Sequence, residues 1–240
     1  MNSFLRDIDR EKGKMQGDID NLLRHYEKLA GFVQQYTQAT TTEWARLAVN
    51  HPSALLLIVE TTGIVDETGY YAYGGEVEPI RFTAYHLTSE TIVLDQLIHP
   101  THSYDVRGFE YHGLRLSDIE DKPLLSAAWP TIQDTLENHH IIIFGADYAR
   151  KALLSVPFSA YALDSAFCLH DKCKEYYNEF YNLSLEQILS YQGIDRKRDE
   201  LRNSQDRIVI LAQVLRNLAA GMTKQDQESE DSNELDEHPF

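Results

Sequence analysis

The segment Ala54 to Gly63 reads ALLLIVETTG, and its six consecutive apolar residues run straight into Glu-Thr-Thr-Gly. A strand that is apolar on both sides cannot face water on either one. It belongs inside a sheet with helices layered over both faces. The expectation is therefore an α/β fold with Ala54 to Glu60 near the centre of its sheet. With 240 residues, 42% of them hydrophobic, the chain can bury one substantial core. The run is too short to cross a bilayer, and the opening residues MNSFLRDIDREK are charged where a signal peptide would be apolar. A cytoplasmic protein without a membrane span is the expectation.

Other segments fill in the layers. PIRFTAYHLT and TIVLDQLIH alternate as strands do and are joined by a short turn near Ser89 and Glu90, and HIIIFG is a further apolar strand after a helix ending around Asn138. Helical patterns follow in ADYARKALLSV, in the segment around DSAFCLHDKCKEYYNEF, in SLEQILSYQG and in QDRIVILAQVLRNLAAG, which Gly221 closes.

The two ends are organised differently. Ile8, Met15, Ile19, Leu22, Tyr26, Leu29, Val33 and Tyr36 follow a first step of seven and then alternating steps of four and three, one seam of a long amphipathic helix. At about 30 residues such a helix would be roughly 45 Å long, too long and too narrowly apolar for a compact core. A coiled-coil dimer, docking on the main domain, or a partner's helix would each cover the seam. Gly13 and Gly17 weaken its first half. The polar QATTT segment then breaks the pattern, and Thr42 caps a second helix, EWARLAV, ending before Pro52. At the other end, KQDQESEDSNELDEHPF (224–240) is acidic and without periodicity, a disordered tail. The organisation expected is an amphipathic helix or coiled coil over 1–40, the main domain over 41–221 and the acidic tail over 222–240.

Charge limits the partners. A net charge of −16 argues against general coating of nucleic acid, so any such site must be local. GYYAYGG (69–75) and EYYNEFYN (175–182) could offer stacking platforms, but without interleaved Lys or Arg they read better as packing or a protein interface. Cys168, His170 and Cys173 do not have the spacing of a common zinc module and read as ordinary thiols and a histidine.

Several of these motifs, in order, resemble the DnaQ-like (DEDDh) 3′–5′ exonucleases typified by the proofreading subunit of DNA polymerase III. ALLLIVETTG is similar to their first strand, Asp-x-Glu-Thr-Thr-Gly. Ile98 to Pro100 and YHGL at Tyr111 to Leu114 match a strand end and the loop after it, FGADYA matches His-Asn-Ala-x-Phe-Asp, and SLEQILSYQGI matches the helix before the last motif. The resemblance runs from about Glu43 to Ala219. It implies an RNase H-like, exonuclease-type mixed sheet of about five strands flanked by helices, here with an N-terminal helical extension.

In that family two metal ions held by four carboxylates activate a water, and a histidine takes its proton. Carried over, the first carboxylate falls on Ile58, the second on Glu60, the third on Ala149, the base on Arg198 and the fourth carboxylate on Asn203. The last two come from setting RDELRNSQD against His-x-Ala-Leu-x-Asp-Ala. Only Glu60 survives, as a vestigial catalytic residue, and Asp147 and Asp206 are displaced from the required directions. The expectation is a pseudoenzyme without metal or other cofactor, acting as a nucleic-acid-binding or protein-scaffolding module. Thr61, Thr62, Gly63 and His112 would be its nucleic-acid contacts, and self-association or a protein partner would use the N-terminal helix. The alternative is an active 3′–5′ exonuclease with an altered metal site, which would need magnesium or manganese.

Overall fold

A computed structural model describes residues 3–63, 77–101, 109–154, 163, 165–179 and 183–222. The tyrosine-rich stretch at 69–75 and the acidic tail from 223 lie outside them. The elements are α1 (Ser3–Asn50), β1 (Ala54–Thr61), β2 (Pro79–His86), β3 (Thr91–Leu97), the short turns α2 (Phe109–His112) and α3 (Leu116–Ile119), α4 (Leu125–Leu136), β4 (His140–Ile143), α5 (Ala146–Leu154), β5 (Phe167–Cys168), α6 (Leu169–Tyr177), α7 (Leu185–Tyr191), α8 (Arg198–Arg202) and α9 (Ser204–Ala220).

The strands form one mixed sheet in the order β3-β2-β1-β4-β5, with the apolar strand β1 at its centre as its composition requires. β1 runs antiparallel to β2 and parallel to β4. Its side chains alternate between two cores. Ala54, Leu56 and Ile58 join residues of α6, α7 and α9, whereas Leu55 and Leu57 join residues of α4 and α5. Each such side chain contributes at most about 1.5–3 kcal/mol of burial. The register between β1 and β2 slips between Glu60 and Thr61, where the strand leaves the sheet.

Two local expectations are corrected. The QATTT segment does not break the N-terminal helix, and Thr42 does not cap a new one, because α1 is continuous over 48 residues. Two threonine hydroxyls bond back inside the helix, Thr37 Oγ1 donating to the Val33 carbonyl at 2.8 Å and Thr40 Oγ1 to that of Thr37 at 3.0 Å. Tertiary contacts then hold the segment, with Thr41 and Ala45 fully buried and the Gln38 amide donating to the Tyr176 carbonyl at 3.2 Å. The second correction concerns DSAFCLHDKCKEYYNEF, whose Phe167 and Cys168 form β5 on the edge beside β4 before α6 begins. α9 ends as expected, with Gly221 at φ 76° in the left-handed cap that glycine adopts without strain.

Candidate functional site

Beside the end of β1 lies a cavity of about 450 Å³. Ile58 and Glu60 line it from the strand, Tyr111 and His112 from α2, Phe144 and Gly145 from the turn after β4, Leu183 to Glu186 from the start of α7, and Leu201, Arg202 and Arg207 from α8 and α9. The period of two along β1 puts Ile58 and Glu60 on the same side, the side packed against α9.

Glu60 is buried, and one oxygen of its carboxylate is engaged from α9. Ser204 Oγ donates to its Oε1 at 2.6 Å, and the Arg207 guanidinium forms an ion pair with the same oxygen. The second arm of that guanidinium, Nη1, donates to the carbonyls of Leu201 at 2.9 Å and Tyr111 at 3.2 Å. One arginine thus ties β1, α2, α8 and α9 together. Burial lowers its pKa to about 10, which leaves it charged at neutral pH. The pair is nearly dry, its side chains only 12% and 9% exposed.

Next to it, Arg81 donates to both carboxylate oxygens of Asp95, at 2.6 and 2.8 Å, and Thr83 and Gln205 add bonds at 3.1 and 2.6 Å. Burial pushes the Asp95 carboxyl up, but these donors outweigh it and hold the group below its ordinary value. His112 is 4% exposed, with Nδ1 accepting the Leu114 N–H at 3.1 Å. Burial lowers its pKa to about 4, countered by a hydrogen bond to the Thr61 backbone and reinforced by Arg81. It is a neutral imidazole fixed in the wall. Gly113 follows at φ 69°, and a Cβ there would stand 3.5 Å from the Cβ of Arg202.

The structure brings Ile58, Glu60, Thr61, Gly63 and His112 together around the cavity. Thr61 and Thr62 use their hydroxyls locally: Thr61 Oγ1 donates to the Gly63 carbonyl at 2.9 Å, and buried Thr62 Oγ1 accepts the Glu78 N–H at 3.0 Å. Ala149 does not line the cavity and is buried in the core on the other face of β1. Asn203 is exposed and caps α9 by accepting the Gln205 N–H at 3.1 Å, so it does not face Glu60, whereas the side chain of Arg198, at the start of α8, lies outside those described. Asp147 is exposed and pairs with Arg150 at 3.4 Å. His170 Nε2 meets the Leu183 carbonyl at 2.6 Å, and burial raises the thiol pKa of both Cys168 and Cys173.

Sequence reading missed Ser204, Arg207 and Arg202. The signal was the phase of α9: Ser204, Arg207, Ile208, Leu211 and Leu215 fall at helical spacing on one stripe, so a serine and an arginine extend the buried face toward the sheet. Asn203 lies off that stripe.

A pair of magnesium ions of the kind such exonucleases use needs converging oxygen ligands. The cavity offers Glu60 and the exposed Glu186, with a guanidinium already on Glu60. Among the described residues no group of three His, Cys, Asp or Glu side chains is placed to hold a metal. Among the described residues the donor set does not fit a metal pair.

No family model matches the chain, and no curated protein matches it in sequence. Solved structures match its fold. One is a 3′-exonuclease described in "3'-end specific recognition of histone mRNA stem-loop by 3'-exonuclease", 11% identical with a TM-score of 0.54, the match covering 71% of this chain and 65% of that one. Another is a full-length 3′-exonuclease, 12% identical with a TM-score of 0.50, covering 70% and 82%. The nuclease domain of 3′hExo, described as a DEDDh family member bound to rAMP, is 14% identical with a TM-score of 0.46, covering 70% and 94%. The chain spans less than two thirds of the first of these. What the likeness shows is the fold, a mixed five-stranded sheet flanked by helices as in 3′-exonucleases.

Proposed function

We propose that this protein is a catalytically degenerate exonuclease-fold module that binds a protein partner in the cleft beside Glu60. The observation that carries the reading is the Glu60–Arg207 ion pair: a fixed cation within the chain occupies the carboxylate that a metal would require. The phase of α9 supports moving the carried-over positions four residues along, the fourth carboxylate to Arg207 and the base to Arg202. The spacing of five between them is unchanged. On this alignment a cation replaces an anion at one position, and a group that stays protonated replaces the proton acceptor at the other.

The lining favours protein over nucleic acid. Ile58, Phe144, Leu183, Leu185 and Leu201 make most of the wall apolar, and Arg207 is already engaged by Glu60 and two carbonyls. A phosphate backbone would need free cations, and the chain carries a net charge of −16. An apolar cleft with a few polar groups suits a protruding side chain of a partner.

The test is degradation of single-stranded and duplex DNA and RNA with magnesium or manganese, with Glu60→Ala as control. No cleavage above that control is expected. Robust cleavage abolished by Glu60→Ala would establish an active exonuclease instead. Because ligands and base are replaced together, Ile58→Asp with Ala149→Asp is expected to restore little activity.

A further inference from the structure

Among the described residues, nothing covers the apolar seam of α1. Met15, Ile19, Leu22, Tyr26, Leu29, Val33 and Tyr36 are between 47% and 73% exposed, and Leu23 and Phe32 beside them are 55% and 57% exposed. In heptad terms Ile19, Tyr26 and Val33 occupy a, and Met15, Leu22, Leu29 and Tyr36 occupy d. The phase continues into the part of α1 that docks on the sheet domain. There Thr41 and Ala45, at b and f, are buried, while Leu47, at a, is 65% exposed. The domain and the seam therefore lie on nearly opposite sides of one helix.

We propose that α1 pairs in parallel with α1 of a second copy of this chain, along the seam from Met15 to Tyr36. This rests on the exposed seam and not on the reading of the cleft. β-Branched Ile19 and Val33 at a with Leu22 and Leu29 at d is the combination that favours two parallel strands. No seam position from Met15 to Tyr36 is charged. Of the flanking e and g positions, Gln16, Leu23, Ala30, Asp18, His25 and Phe32, only Asp18 is formally charged. A foreign helix is usually selected by charges at those positions, and here there is no such code. Residues 12–40 hold four basic and three acidic side chains, so two copies of an otherwise strongly acidic chain meet here without repulsion.

The area is sufficient. A standard interface buries roughly 800 Å² per partner. Nine large apolar side chains, each offering on the order of 100 Å², reach that value. The two sheet domains would stand on the outer sides of the coil, clear of each other, because each docks on the b/f side of its own helix.

Sedimentation equilibrium of the full chain at micromolar concentration is expected to give twice the chain mass. Leu22→Asp with Leu29→Asp should halve it while the unfolding midpoint of the sheet domain stays in place. Gln35→Asp, at an outward c position, should leave the dimer intact, which separates loss of the seam from general damage. Leu29→Cys should cross-link across the dimer on oxidation, since parallel pairing sets each d position against its own copy. A monomeric parent chain, a higher oligomer, or a dimer whose Leu29→Cys variant does not cross-link would each overturn the proposal.

Discussion

Replacing Arg207 with methionine removes the cation and keeps much of the volume of its stem. Glu60 would then be a carboxylate 9% exposed with Ser204 as its remaining donor. Removing one partner of a buried ion pair costs about 3–5 kcal/mol, because the other charge is left uncompensated. The surviving Ser204 bond places this case at the low end, about 3 kcal/mol, since hydrogen bonds to charged groups are worth roughly 1.5–3 kcal/mol. For a domain of this size each kcal/mol shifts the midpoint by roughly 2–4 °C, so a fall of about 6–12 °C is expected. The variant also loses the bonds to the Leu201 and Tyr111 carbonyls, and a double-mutant cycle separates that loss. Glu60→Leu combined with Arg207→Met should recover much of the stability, because no buried charge is left. Urea unfolding of parent, singles and double measures the coupling. A single Arg207→Met loss below about 1 kcal/mol, or a double variant as unstable as the singles added together, would refute the view that the pair locks the site.

Stability should fall as pH drops from about 6.5 toward 4. The His112 pKa is lowered in the folded chain, so the unfolded chain takes up the proton first, at about 1 kcal/mol per pH unit; an unchanged slope in His112→Gln would overturn this. Asp95, also held low, contributes stability that is lost only at more acid pH, as pH falls through its folded pKa. Unfolding curves of Asp95→Asn should lose that acid limb. Gly17 and Gly31 lie in α1 with nothing within 4 Å of an added Cβ, so Gly17→Ala with Gly31→Ala should raise helicity by circular dichroism and add about 1 kcal/mol per site to the helix. Gly113→Ala forces a side chain into φ 69° and should cost about 1–2 kcal/mol in thermal unfolding.

The sheet was legible because its determinants are local. An apolar strand at Ala54 to Val59, alternation in the two strands after Pro79 and a glycine closing α9 each carry their own physical cause within a few residues. The break expected at QATTT failed for the opposite reason: threonine propensity is weak, and burial of Thr41 and Ala45 by distant elements overrides it. β5 was hidden because two residues at a sheet edge carry no readable period. Around Glu60 the two residues that hold the carboxylate were hidden by the phase of α9. Matching motifs by type led to Asn203, which is exposed. Counting the buried stripe of α9 back from Leu215 instead reaches Arg207 and Ser204, the two residues that hold Glu60. A charged residue on a buried stripe demands a partner of opposite sign, and Glu60 is the buried carboxylate at the end of the central strand. The arginine and the glutamate explain one another, and neither explains a metal.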